Sequence, residues 1–331
     1  MDCRKTPANM EFRTVIDMPE YPFRIGYGQS GLLLGSCFAA SVGERLVRMK
    51  MPVTVNPFGT LYNPASVAQG LEILEKGVAA DERLLREHDG LWFAFSHSGS
   101  FASPDREEAL SGLNASVETG CRALAAADYL VLTFGTAWVY ALAETGEIVG
   151  NCHKLPASAF RRRRLEAEEI VSRLEPLLER PLYRGKQIVL TVSPIRHLKD
   201  GLAENQLSKA TLLVAAHRLA ERFEHVHYFP SYEILLDDLR DYRFYERDMV
   251  HPSAVAVDYV WECFCGACVD KEALGLFKSV EKIRAAREHR PFRPDTPRHR
   301  EFKKAVLAEI AGIRSRYPSL DFTEETTYFA E

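Results

Sequence analysis

Ser36 is the first residue in the chain placed for chemistry. It follows the apolar run Leu32-Leu33-Leu34 and Gly35, and apolar residues then recur at Phe38, Val42, Leu46 and Val47. A run of strand length, a small-residue turn and helical spacing make half of a βα unit. A hydroxyl at that turn sits beside the positive end of a helix, where a developing oxyanion is favoured. An N-cap explains the same serine equally simply, because serine is among the best caps. Cys37 can be read as a thiol activated at a helix N-terminus or as a small core residue. Far along the chain, Asp248 and His251 form an Asp-x-x-His element ahead of Pro252. Proline suits the first helical turn and pushes the residue before it out of the helical region, so His251 is held in a loop. By itself that spacing reads as a solvated Asp and His.

These residues need elements to position them. Residues 51–55 form a second short strand, and Asn56 to Asn63, broken by prolines and Gly59, an ordered loop. Helices are expected at 65–76, 107–127, 165–178, 204–223 and 254–269. Strands are expected at 91–95, 129–134, 187–192 and 226–229, with a hairpin over 138–150. The runs at 129–134 and 187–192 are apolar throughout, as in strands buried on both faces. Strands alternating with helices predict an α/β fold with a central parallel sheet covered on both sides. Polar residues follow each strand: Gly35-Ser36, Asn56 to Asn63, Gly135-Thr136, Ser193 to His197 and Asp248 to His251. In a parallel sheet such strand ends share one edge, so residues far apart in sequence meet there. Residues 1–30 read as an irregular lead-in, the segment beyond 270 as charged helix broken near 291–297, and 318–331 as a tail that wraps the surface.

The 331 residues are 46% hydrophobic and 27% charged, with a formal net charge of -4. That composition is ordinary for a soluble globular protein and suggests no nucleic-acid surface. The seven cysteines show no disulfide spacing, which suits a reducing compartment, and no apolar run has the length of a membrane span. A cytoplasmic location is the expectation. Cys263, Cys265 and Cys268 cannot put three metal ligands on one helical face and read as core. No metal and no cofactor is expected.

Gly35-Ser36-Cys37-Phe38-Ala39 resembles the signature of the GSCFA family. The resemblance extends to Asn56-Pro57-Phe58-Gly59-Thr60, Phe134-Gly135-Thr136-Ala137-Trp138, Cys152-His153-Lys154, Ser193-Pro194-Ile195-Arg196-His197, Asn205 with Ser208-Lys209, and Asp248 to Ser253. The family is similar to the SGNH (GDSL-like) hydrolases. That likeness implies a three-layer α/β/α flavodoxin-like fold over residues 1–270; beyond it, a C-terminal helical extension over 271–331 is expected to pack on the same domain. It also implies ester hydrolysis through Ser36 as nucleophile, His251 as general base and Asp248 as the acid that orients it. A serine needs such a base, and the base needs a partner on its other ring nitrogen. The implied oxyanion donors are the backbone N–H groups of Ser36 and Gly59. Thr136 stands where the wider superfamily carries an Asn, and its hydroxyl is the candidate third oxyanion donor, with His153 or Lys154 of the later loop as alternatives.

His153, Lys154, Arg196 and His197 are candidates for binding substrate. Asn205, Ser208 and Lys209 share one helix face, turned to the cleft or to water. Arg161 to Arg164 read as a solvated charge run ahead of a helix. The expected substrate is a small-molecule or glycan-linked acyl ester. The alternatives are an acyltransferase using the same site, a non-catalytic binding module on the same fold, and a hydrolase using Cys37.

Overall fold

The computed structural model describes residues 13–78, 80–289, 292 and 296–330. Cys3 and most of the expected break at 291–297 lie outside them. The first βα unit is β1 (Gly31–Gly35) and α1 (Cys37–Arg48), followed by β2 (Val53–Val55) and α2 (Pro64–Lys76). A small hairpin, β3 (Arg86–His88) and β4 (Leu91–Phe93), precedes α3 (Arg106–Ala126) and β5 (Tyr129–Phe134). An excursion of β6 (Trp138–Leu142), β7 (Ile148–Val149) and β8 (Phe160–Arg164) leads to α4 (Ala167–Leu178), α5 (Pro181–Arg184) and β9 (Gln187–Val192). Then come α6 (Gly201–Arg222), β10 (Val226–Phe229), α7 (Ser231–Glu233) and α8 (Ala254–Cys268). The chain closes with α9 (Lys271–Glu288), α10 (Pro297–Arg316) and α11 (Thr323–Ala330).

Five strands make one parallel sheet in the order β10-β9-β5-β1-β2. Numbered along the chain, that is the 2-1-3-4-5 order of the flavodoxin-like sheet, in which the strand order reverses between β1 and β5. Alternate side chains go to opposite faces. Leu32, Leu34, Leu130, Leu132, Ile188 and Leu190 join α2, α3, α4 and α6 in one core. Leu33, Val131 and Val189 join α1 and α8 in the other. The result is the three-layer α/β/α arrangement that the alternation predicts. Phe277 and Val280 of α9, Val306 and Ile310 of α10, and Phe322 and Phe329 are buried in the second core.

Three expectations need correction. The strand at 91–95 stops at Phe93 and pairs with Arg86–His88 outside the main sheet. Arg161 to Arg164 belong to β8, which pairs antiparallel with β6, so alternate arginines face opposite ways. The 318–331 tail contains α11, anchored by Phe322 and Phe329. Among the described residues no helix is long and apolar enough to cross a membrane.

Candidate active site

Ser36 stands at the reversal point, between the ends of β1 and β5. Gly35 has φ +138°, and a Cβ there would lie 2.1 Å from the Thr133 carbonyl oxygen, so the turn admits only glycine. Three bonds hold the turn: Gly35 N–H to Asn56 Oδ1 (2.9 Å), Leu61 N–H to the Gly35 carbonyl (2.9 Å) and Ser36 N–H to the Thr133 carbonyl (3.1 Å). Ser36 occupies the N-cap position of α1, but its side chain makes no capping bond. Its Oγ is buried and has no hydrogen-bond partner. The capping reading of Ser36 is therefore not what the structure adopts.

Asp248 and His251 face each other across one turn of loop. His251 Nδ1 lies 2.6 Å from Asp248 Oδ2, while Asp248 Oδ1 accepts the N–H groups of Val250 (2.9 Å) and His251 (3.0 Å). Those N–H groups and the imidazole hold the Asp248 carboxyl down at about 2. The loop is tied to the end of β9 by Arg196 N–H to the Val250 carbonyl at 3.2 Å.

Ser36 and His251 line one cavity of about 490 Å³, with Cys37, Tyr62, Asn63 and Thr136 around the serine. That volume lies within the range of small-ligand sites. The loops that form part of its wall are held from behind by α6. Lys209, 1% exposed, donates from Nζ to the carbonyls of Gly135 and Ser193, each at 2.6 Å. Ser208 Oγ accepts the Ala137 N–H at 2.8 Å, and Asn205 Oδ1 accepts the His197 N–H at 2.9 Å. The polar face of α6 thus meets neither the cleft nor water: it is buried against the loops after β5 and β9 and holds them. Burial pushes the Lys209 ammonium down to about 7. Burial, aided by the Lys209 charge, pushes His197 down to about 4.

The opposite wall was not foreseen. Trp138 and Tyr140 of β6 carry the Arg162 guanidinium at 4.2 and 5.3 Å from their ring centroids, and Arg162 forms a two-pronged pair with Asp200. Lys199 Nζ donates to Tyr140 Oη at 2.6 Å. The available signal was the alternation of β8, disguised because every position from Arg161 to Arg164 is arginine.

The remaining candidates divide. His197 and Arg196 line the cavity. Arg196 stacks on Tyr245 at 4.0 Å and donates to the Met249 carbonyl. Thr136 also lines it, but its Oγ1 lies 3.1 Å from Ser208 Oγ and accepts the Trp138 N–H. His153 and Lys154 are not brought there. The His153 ring stacks on Phe93 at 4.0 Å and its Nε2 lies 3.0 Å from the Ala94 carbonyl, while Lys154 is exposed. Gly59 is not a wall residue, and its N–H donates to the Asn56 carbonyl at 2.7 Å, closing a turn. The Ser36 N–H is engaged as well, so neither backbone donor implied by the resemblance is free.

Among the described residues no cluster of three or more His, Cys, Asp or Glu side chains could hold a metal ion. Cys265 and Cys268 are buried, Cys263 is partly so, and all three are free thiols.

A model of the GSCFA family matches residues 31–264. The chain belongs to the GSCFA family. A second model, the GSCFA domain protein C-terminal domain, matches residues 280–331, which take in half of α9 and all of α10 and α11. No curated protein matches. Every residue lining the cavity falls inside the GSCFA segment, so the C-terminal match supplies none of its wall.

Proposed function

We propose that this GSCFA protein is a serine ester hydrolase of SGNH type, acting on a small acyl ester. The observation that carries the reading is His251, oriented by Asp248, lining the same cavity as a serine whose hydroxyl is left without a partner. A serine at the head of a 12-residue helix could cap it, and this one does not.

The chemistry runs in two halves. Ser36 Oγ attacks the ester carbonyl carbon as His251 Nε2 takes the hydroxyl proton. The tetrahedral oxyanion collapses, the ester C–O bond breaks, and His251 returns the proton to the leaving alcohol. Water then gives a proton to His251 and attacks the acyl-enzyme, releasing the acid and restoring Ser36. An acceptor hydroxyl in place of water makes the same cycle an acyl transfer. Ionised Asp248 keeps Nδ1 protonated, so Nε2 is the basic nitrogen. First-turn N–H groups of α1, which lack intrahelical acceptors, point positive charge toward an oxyanion formed at Ser36.

Labelling with a fluorophosphonate, with the adduct mapped by mass spectrometry, tests this reading. The expected site is Ser36, with labelling abolished in Ser36→Ala and retained in Cys37→Ala. Labelling that persists in Ser36→Ala overturns it.

One observation favours a second reading, a binding module with a closed site. Ser36 Oγ is sealed from solvent and makes no bond to His251. Under that reading nitrophenyl acetate turns over no faster with wild type than with Ser36→Ala or His251→Ala.

A further inference from the structure

The backbone donors that close on the strand ends are already engaged. Ser36 N–H goes to the Thr133 carbonyl, Gly59 N–H to Asn56, and Gly135 and Thr136 N–H both to the Tyr62 carbonyl. Ala137 N–H goes to Ser208 Oγ. These five donors are spent, which leaves the first-turn N–H groups of α1 and any free side-chain donor to meet an oxyanion at Ser36.

Asn63 has one. It is 6% exposed, lines the cavity and is the N-cap of α2. Its Oδ1 accepts the Ser66 N–H at 2.8 Å, which settles the orientation of the amide, because only the carbonyl oxygen can accept that proton. Nδ2 is left with two N–H bonds and no acceptor among the described residues. It differs from Asn56 Nδ2, which is sealed in without a partner. The peptide that leads into Asn63 also lies beside Ser36. The point where a Gly135 Cβ would stand lies 3.1 Å from the Tyr62 carbonyl oxygen, on the peptide that enters Asn63, and 3.2 Å from Ser36 Cβ. The two Tyr62 bonds from Gly135 and Thr136, at 2.8 and 2.9 Å, hold that peptide against the end of β5.

We propose that the Asn63 side-chain amide is an oxyanion donor for the acyl transfer at Ser36. The proposal rests on the hydrolase reading above. The cap and the donor are two ends of one amide: Oδ1 starts α2, and that bond fixes in advance the direction of the amide that carries Nδ2. No reorganisation is needed when charge develops, which is what makes such a donor effective. This donor answers the absence of an Asn at Thr136 with a residue from a different strand end.

Two substitutions separate capping from catalysis. Asn63→Asp and Asn63→Ser both keep a good N-cap, and both remove the amide donor. For 4-nitrophenyl acetate the expected kcat falls about 100- to 1000-fold in each. The melting temperature stays within about 2 °C of wild type, because both residues keep the cap. The second readout needs no turnover. In the fluorophosphonate adduct of wild type, the phosphonyl oxygen occupies the oxyanion position, and the Asn63 Nδ2 proton resonances move downfield on labelling. A kcat within roughly threefold of wild type in both variants, with no movement of those resonances, overturns the donor role while Ser36 labelling keeps the hydrolase reading intact. A wild type that neither labels nor turns over overturns both.

Discussion

His251 Nδ1 lies 2.6 Å from Asp248 Oδ2, and the other oxygen of the same carboxylate takes the N–H groups of Val250 and His251. One short loop therefore fixes both the tautomer and the orientation of the imidazole. Asp248→Asn keeps the shape and presents an amide to Nδ1, favouring the wrong tautomer. The expected loss in kcat is on the order of 1000- to 10000-fold, with little change in stability, since the pair is half-exposed. Steady-state kinetics beside a thermal melt checks it. Asp248 is held down at about 2, so its contribution is present above the ordinary carboxylate range and is lost only as pH falls toward about 2. The acid limb of the wild-type rate profile should therefore report a group other than Asp248.

Lys209 is a cation placed where water does not reach, between the carbonyls of Gly135 and Ser193. Lys209→Met leaves two carbonyls unpaired and is expected to cost about 2–4 kcal/mol. Its pH signature runs against the usual one. Folding lowers this lysine from 10.5 to about 7, so the unfolded chain binds the extra proton between those values. The penalty is full below about pH 7 and is relieved as pH rises toward about 10. The stability difference between wild type and Lys209→Met should grow in favour of wild type across that window, with a slope approaching about 1.4 kcal/mol per pH unit. Urea melts of both proteins at several pH values measure it; a flat difference contradicts the expectation.

Gly35 and Gly112 make a contrasting pair. At Gly35 a methyl group meets the Thr133 backbone at a φ that L-residues rarely adopt. Gly35→Ala should cost at least about 3 kcal/mol. Gly112 lies inside α3 with open space around it, and Gly112→Ala should stabilise by about 0.5–1 kcal/mol. Denaturant midpoints of the two variants decide both.

The Arg162–Asp200 pair braces the wall opposite Ser36, with the guanidinium lying on Trp138. Asp200→Ala frees Arg162 and loosens that wall without touching the Asp248–His251 pair. A rise in KM of about tenfold is expected, with kcat within roughly twofold. A loss confined to kcat counts against a role for this wall in holding substrate.

Local signals in the chain were strong. Leu32 to Gly35 and Tyr129–Phe134 read as strands because their apolar runs match the length of strands buried on both faces. The pairing of Asp248 with His251 is likewise local, set by a three-residue spacing and by Pro252. The arginines of β8 were illegible for the opposite reason. A strand with charge at consecutive positions has no apolar alternation, and only pairing with β6 makes it one. The tail was misread because Phe322 and Phe329 find their burial on α9 and α10.

By itself the sequence determined the alternation of strands and helices, the strand-end placing of Ser36 and the Asp248–His251 turn. Each depends on residues close together in the chain. Tertiary structure alone decided which donors remain free. The Ser36 N–H is taken by Thr133 and the Gly135 N–H by Tyr62, while Asn63 keeps Nδ2 because Ser66 claims only its oxygen. A hydrogen-bonding group is free or engaged according to what the fold brings beside it, and here Thr133, Tyr62 and Ser208 come from a strand, a loop and a helix remote in the chain from the groups they engage.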